Sequence, residues 1–195
     1  MDDKMEILDL LKETKSFLEG HFELSSGLHS DRYCQCARLL QYPQYAELTG
    51  QKIAAMFDKN EIDVVLGPAL GGIIIGYETA RAVNKPFLFT ERKEGIMSLR
   101  RGFQIKEGTK ILIVEDVITT AKSVKENIAI LQEYNVKIAG IACILDRSKG
   151  ESGLEFNSLL KIDPVLYYPD NCPLCQEGIK IEKPGSQTKV TRYII

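Results

Sequence analysis

Glu115 and Asp116 stand side by side where a run of apolar β-formers ends, in "ILIVEDVITTAKS", Ile111 to Ser123. Val117, Ile118, Thr119 and Thr120 follow at once, then Ala121, Lys122 and Ser123. In an open α/β sheet, ligands sit at the carboxyl edge of the strands, which is where this stretch would place its acids. Adjacent carboxylates accept hydrogen bonds from vicinal hydroxyls. A hydroxyl-bearing turn that opens a helix can wrap a phosphate, because the first N–H groups of a helix attract an anion. Together the two halves suit a ribose phosphate. A plainer account has the acids ending a strand and Thr119 or Thr120 capping a helix. That account leaves the second acid unexplained.

Other residues with possible chemistry are more ambiguous. Arg92, Lys93, Arg100 and Arg101 fall in "RKEGIMSLRRGFQIKEG", which has no sustained period and is expected to form a long loop from 92 to 108. A charge run is usually a solvated face, but so long a loop between core strands favours function. Five cysteines are an odd number, and disulfides are not expected. Cys172-Pro-Leu-Cys175 has the spacing of half a zinc site, with Cys34-Gln-Cys36 as the other conceivable half. The second half is poorly spaced and no histidine lies near, so a pair of reduced thiols in a proline turn is expected. His21 and His29, the two histidines, have no cysteine, serine or acid at a spacing diagnostic of nucleophilic catalysis. No G-x-x-x-x-G-K-[ST] or G-x-G-x-x-G stretch is present, which argues against a P-loop or a dinucleotide fold.

The elements that must position these groups follow an α/β rhythm. Met5 to Leu18 reads as an amphipathic helix stopped by Gly20, followed by two short strands around Ser26-Gly27. A helix from Pro43 to Phe57 comes next. Strands "DVVLGP", "KPFLFTE", "KILIVED" and "KIAGIACILDR" then alternate with helices "GGIIIGYETARAV" and "TTAKSVKENIAILQEY". Apolar strands alternating with helices predict a central, mostly parallel sheet covered on both faces. The 195 residues suit a single domain. A hydrophobic fraction of 44% and a formal net charge of −2 indicate neither disorder nor a nucleic-acid partner. No apolar run approaches the roughly 20 residues of a membrane helix, and the N-terminal stretch lacks a signal peptide's apolar core. A cytoplasmic protein is expected.

"ILIVEDVITTAKS" resembles the PRPP-binding signature of the type I phosphoribosyltransferases. "GHFELSSGLHSDRYCQCARLLQYP", "VVLGPALGGIIIG", "TERKEGIMSLRRGF" and "ILDRSKG" are similar, in order and spacing, to stretches of the family's bacterial, orotate-using members. The cysteine turn followed by "KPGS" resembles the C-terminal end of one bacterial subgroup. The resemblance covers nearly the whole chain. It implies the type I fold, with a small hood built from residues 1–42 and about 164–195 and with 92–108 as a flexible catalytic loop. It also implies transfer of the phosphoribosyl group of PRPP to orotate in UMP biosynthesis. Mg²⁺ would be held mainly by PRPP rather than by protein ligands. A homodimer is implied, in which the loop closes over the neighbouring site.

By the same resemblance, Glu115 and Asp116 would hold the ribose hydroxyls, and residues from Val117 to Ser123 the terminal phosphate. Gly71 and Gly72 would admit backbone N–H groups to the pyrophosphate. Arg92 and Lys93 would also bind PRPP. Asp116 and one or more of Lys93, Arg100 and Arg101 would be catalytic, since cations around a leaving pyrophosphate favour the transition state. Arg147 and Thr119 would contact orotate, with Tyr33 or Phe22 flanking the ring. Ser25 stands where enteric members have a lysine, and Ile96 and Met97 stand in the middle of the loop, where they have a lysine and a histidine. Ala121 stands where many members have glycine. The alternatives are a purine phosphoribosyltransferase, which has no reason to place an arginine at Arg147, and a non-catalytic regulator, which would have no need of the basic loop.

Overall fold

The computed structural model describes residues 3–24, 26–163 and 165–184. Ser25 and the last eleven residues, including most of "KPGSQTKVTRYII", lie outside that set. The elements in chain order are α1 (Asp3–Glu13), β1 (Phe17–Glu23), β2 (His29–Cys34), α2 (Ala37–Leu40), α3 (Pro43–Ala54), β3 (Val64–Pro68), α4 (Gly71–Val83), β4 (Phe87–Lys93), β5 (Ile96–Leu99), β6 (Lys110–Ile118), α5 (Lys122–Gln132), β7 (Lys137–Asp146), β8 (Asn157–Lys161), β9 (Leu166–Tyr167) and α6 (Pro173–Gln176).

Six strands form the central sheet in the order β5-β4-β3-β6-β7-β8, with all neighbours parallel except the antiparallel β4–β5 edge. The apolar run of β6 is continuous because both faces of the sheet are covered. Leu112 and Val114 join a core with Ile7, Leu11, Ile53 and Ile75 from α1, α3 and α4. Ile111 and Ile113 turn the other way and pack with Val124 and Leu131 of α5. The expected mostly parallel α/β architecture is therefore present. A separate antiparallel sheet, β1-β2-β9, stands apart from it. The segment near Glu182 runs beside β1, with a bridge from Phe22 to Glu182. Of the N-terminal residues expected in the hood, α1 and α2 instead bury Ile7, Leu11, Leu39 and Leu40 in the main core.

Two further expectations are corrected. The first helix ends at Glu13, not Leu18, and Gly20 lies inside β1. Lys15 adopts a left-handed φ of 54°, its N–H bonds Lys12 O, and the Ser16 N–H bonds Leu11 O at 2.8 Å. A Schellman motif thus stops the helix on a lysine where glycine is the usual signal. The segment 92–108 is also not one irregular loop. Its first part is a hairpin in which Arg92 pairs with Met97 and Lys93 with Ile96. The two-residue turn has Glu94 at φ 54° and Gly95 at φ 84°, the doubly left-handed geometry that matches strand twist.

Candidate active site

Strand β6 carries Glu115 and Asp116 to the carboxyl edge of the sheet between β3 and β7. Glu115 is buried and Asp116 half-buried. The Asp116 N–H donates to Glu115 Oε1 at 3.0 Å, and the Val117 N–H to Asp116 Oδ1 at 2.9 Å, so local backbone fixes both carboxyls. Burial, and then the neighbouring Asp116 charge, push the Glu115 carboxyl up to about 9. Burial also raises Asp116. The two titrate as a pair, and a ligand that donates to both, or brings a cation, would favour full ionisation.

The loop from β3 to α4 fits against this pair. A Cβ added at Gly71 would lie 2.3 Å from Asp116 Oδ1. One added at Gly72 would lie 2.8 Å from both Val114 O and Pro68 Cδ. Part of the reason for the glycines is therefore the approach of the acids and of β6 itself.

Beyond Ile118 the chain turns through Thr119 and Thr120, both exposed, into α5. Ala121 does take the left-handed conformation, φ 57° and ψ 21°, that glycine adopts without strain. No side chain caps the first turn of α5. A small cavity of about 70 Å³ lies there, lined by Glu115 and residues 117–124. Its walls are the N–H groups of a helix start and three hydroxyls, suited to an anion.

A larger cleft of about 1000 Å³ adjoins it and shares Thr119 and Thr120. Tyr33, Thr119 and Arg147, expected to surround one ring, all line this cleft. The parallel register explains two of them: Ile118 pairs with Asp146, so Thr119 and Arg147 leave neighbouring strand ends together. The Arg147 N–H bonds Ile118 O at 2.8 Å, and the Ser148 N–H bonds Asp146 Oδ1 at 2.8 Å, fixing the turn. Phe22 is buried beneath Tyr33, with ring centroids 5.8 Å apart, and does not line the cleft. Gln35, Leu28, Ser148, Lys149 and Lys183 line it as well. They lie within the stretches that carry the resemblance but were not singled out there, since they meet only through the fold.

None of the basic residues 92, 93, 100 and 101 lines either cavity. Arg92 pairs with Glu126 of α5. Arg100 and Arg101 both pair with Glu91, at 3.3 and 2.7 Å. Among the described residues the Lys93 side chain has no hydrogen-bond or ion-pair partner, and it is exposed. Cys34 and Cys36 are core thiols raised by burial, Cys34 to about 11, and they do not meet Cys172 and Cys175. No helix among the described residues is long and apolar enough to cross a membrane.

The family model described as "Phosphoribosyl transferase domain" matches residues 37–158, which carry most of the main sheet and the whole lining of the smaller cavity, so the chain belongs to the phosphoribosyltransferases. Solved structures agree on the fold: crystal structures of orotate phosphoribosyltransferase from Aeropyrum pernix (TM-score 0.68, 22% identity, 80% of this chain and 93% of that one) and from Mycobacterium tuberculosis H37Rv in complex with inorganic phosphate (TM-score 0.63, 24% identity, 82% and 95%) superpose on it. Curated relatives narrow the class. The orotate phosphoribosyltransferases of Caldicellulosiruptor saccharolyticus and Thermotoga maritima are 53% and 48% identical, over 92% and 93% of this chain and 95% and 98% of their own lengths. The chain belongs to the orotate phosphoribosyltransferase family.

Proposed function

We propose that the protein transfers the phosphoribosyl group of PRPP to orotate, giving orotidine monophosphate and pyrophosphate in pyrimidine biosynthesis. The observation that carries this reading is the Glu115–Asp116 pair, buried and half-buried, on the same strand end as an anion cavity and an Arg147-walled cleft. Thr119, Thr120, Ser123 and the N–H groups at the start of α5 hold the terminal phosphate. Glu115 and Asp116, ionised in the complex, accept from the ribose hydroxyls. Backbone N–H groups at Gly71 and Gly72 face the pyrophosphate. The Arg147 guanidinium grips the orotate carboxylate in bidentate fashion, beside Thr119 and Tyr33. As the bond from the anomeric carbon to pyrophosphate breaks, its electron pair leaves with the pyrophosphate oxygen, and a ring nitrogen of orotate bonds that carbon as its N–H proton is released to solvent. The Asp116 carboxylate stabilises the developing positive ring, and cations of the β4–β5 hairpin stabilise the leaving group.

Among the described residues no three acidic side chains converge into a cage for a hard cation. The carboxylate pair nonetheless fits Mg²⁺ held chiefly by the substrate's own oxygens, where it would offset phosphate charge. With Arg92, Arg100 and Arg101 in local ion pairs and Lys93 exposed, the hairpin is suited to serve a second subunit's site, and we read the protein as a cytoplasmic homodimer. The test is a spectrophotometric assay of orotate loss with PRPP and Mg²⁺, set against uracil, adenine and hypoxanthine. Orotate is expected to be consumed and the others not. Turnover of a purine but not of orotate would overturn the substrate assignment.

A further inference from the structure

We propose that His21, His29, Cys172 and Cys175 form a structural zinc site that staples the C-terminal segment to the β1–β2 hairpin. Their ligand atoms (one ring nitrogen from each histidine, one sulfur from each cysteine) all lie within 4.8 Å of one another. Three of the four residues are buried, with His21 at 2%, His29 at 7% and Cys172 at 1% relative exposure. The expectation that Cys172 and Cys175 have no histidine near them holds only along the chain. In space His21 and His29 complete the set, and Cys34 and Cys36 take no part.

Four of the six distances between ligand atoms are close to the edges of a tetrahedron. His21 Nε2 lies 3.0 Å from His29 Nδ1. Cys172 Sγ lies 3.6 Å from His21 Nε2, and Cys175 Sγ lies 3.7 Å from the same atom and 3.4 Å from His29 Nδ1. Zinc bonds of about 2.3 Å to sulfur and about 2.0–2.1 Å to nitrogen, arranged tetrahedrally, require nitrogen–sulfur edges near ~3.5 Å and a nitrogen–nitrogen edge near ~3.3 Å. These four edges therefore lie within a few tenths of an ångström of the ideal values, and the remaining two, both from Cys172 Sγ, are no longer than 4.8 Å.

The support around the ligands has the same sense. His21 Nδ1 is 2.8 Å from the Ile179 carbonyl oxygen, which can only accept. The proton therefore sits on Nδ1, and Nε2 turns its lone pair to the centre of the cluster, the arrangement that orients a metal-bound histidine. Cys172 and Cys175 flank a turn with Pro173 at its start, the compact C-x-x-C geometry that presents two sulfurs to one ion. Binding one Zn²⁺ releases the two thiol protons and leaves a neutral centre, which suits its burial. Two soft thiolates with two imidazoles favour zinc over Mg²⁺, so this site is distinct from the substrate-held cation.

The staple has a place in the architecture. β1 and β2 are short, their register is broken by an irregularity between Glu19 and Phe22, and β9 adds only two residues. The same hairpin and the same C-terminal segment supply Leu24, Leu28, Leu166 and Lys183 to the wall of the cleft. An ion joining them stabilises that wall from behind without touching either cavity.

The test uses the full-length protein purified without chelators or a metal-affinity tag. About one equivalent of zinc per chain is expected by mass spectrometry, falling below about a tenth in Cys175→Ser. Cobalt substitution of the wild type is expected to give the visible bands and the thiolate-to-metal charge-transfer band of a tetrahedral site. Removing zinc with a strong chelator is expected to lower the melting temperature and to open the segment after Pro169 to limited proteolysis, both reversed by added zinc. These last readouts need no variant to fold. Protein that holds no zinc, shows no cobalt–thiolate band and melts unchanged in chelator would overturn the site, as would a Cys172–Cys175 disulfide in zinc-replete protein.

Discussion

The backbone of Gly71 lies so close to the Asp116 carboxylate that an added methyl group would sit 2.3 Å from Oδ1 and 2.7 Å from Cγ. At Gly72 the obstruction is different, because Val114 O belongs to the backbone of a central strand. The two adjacent glycines should therefore fail in different ways. Gly71→Ala can be accommodated by displacing a carboxylate, so it is expected to lower kcat/KM at least about tenfold, while stability falls by less than about 1 kcal/mol. Gly72→Ala must move a strand or α4 and is expected to cost about 1–3 kcal/mol of stability. Urea denaturation and steady-state kinetics of both variants check the contrast. Equal losses of stability would show that Asp116 does not yield at Gly71.

The Glu115–Asp116 pair gives stability a sign in pH. The folded protein keeps a proton on Glu115 up to about 9, whereas its ordinary value is 4.5. Between those limits the folded state binds more protons than the unfolded chain, so its stability must fall as pH rises. The slope contributed by one such proton is at most about 1.4 kcal/mol per pH unit. Glu115→Gln removes this titration and is expected to flatten the curve between about pH 6 and 8, being more stable than the wild type at the upper end. Parallel curves for the two proteins would mean that Glu115 is already ionised in the free state.

Much of this site was legible because its chemistry is local. The switch from an apolar run to two acids and then to hydroxyls occurs within thirteen residues, and the fold keeps that order from β6 to α5. Arg147 was singled out by the resemblance that its short strand-end motif carries. What escaped was signalled by backbone geometry or by distance. Lys15 occupies a left-handed position where glycine would have announced a turn. The Glu94-Gly95 turn was a hairpin signal masked by its basic surroundings. β8 carries no strong alternation, and its order comes from pairing with β7. Of the four converging metal-type ligands only the Cys172–Cys175 half showed in the sequence, and the histidine half did not, because 151 residues separate His21 from Cys172.

In the proposed function Arg147 discriminates between substrates rather than binding PRPP. Its side chain lines the larger cleft and is absent from the anion cavity at α5. Arg147→Ala is expected to raise the KM for orotate at least about tenfold, with the KM for PRPP changed less than about threefold. Arg147→Lys keeps the charge but loses the planar fork, so only partial rescue is expected. Initial-rate kinetics with each substrate varied in turn decide the point. Equal effects on both KM values would remove Arg147 from the base pocket.

The exposed, unpartnered Lys93 at the tip of β4 makes the shared-site reading testable. Lys93→Ala removes a hairpin cation, and Asp116→Asn removes a carboxylate from the strand-end site. If each hairpin serves the other subunit's site, one heterodimer of the two variants contains one doubly damaged site and one intact site. If each hairpin serves its own chain, every site in the mixture keeps one defect. Equimolar co-refolding of the two variants is therefore expected to recover about a quarter of the wild-type activity per site, because half of randomly paired dimers are mixed and half of their sites are intact. Separately refolded and then pooled variants supply the baseline. Recovery no greater than that baseline, with mixed dimers confirmed by mass spectrometry, would confine the hairpin to its own subunit.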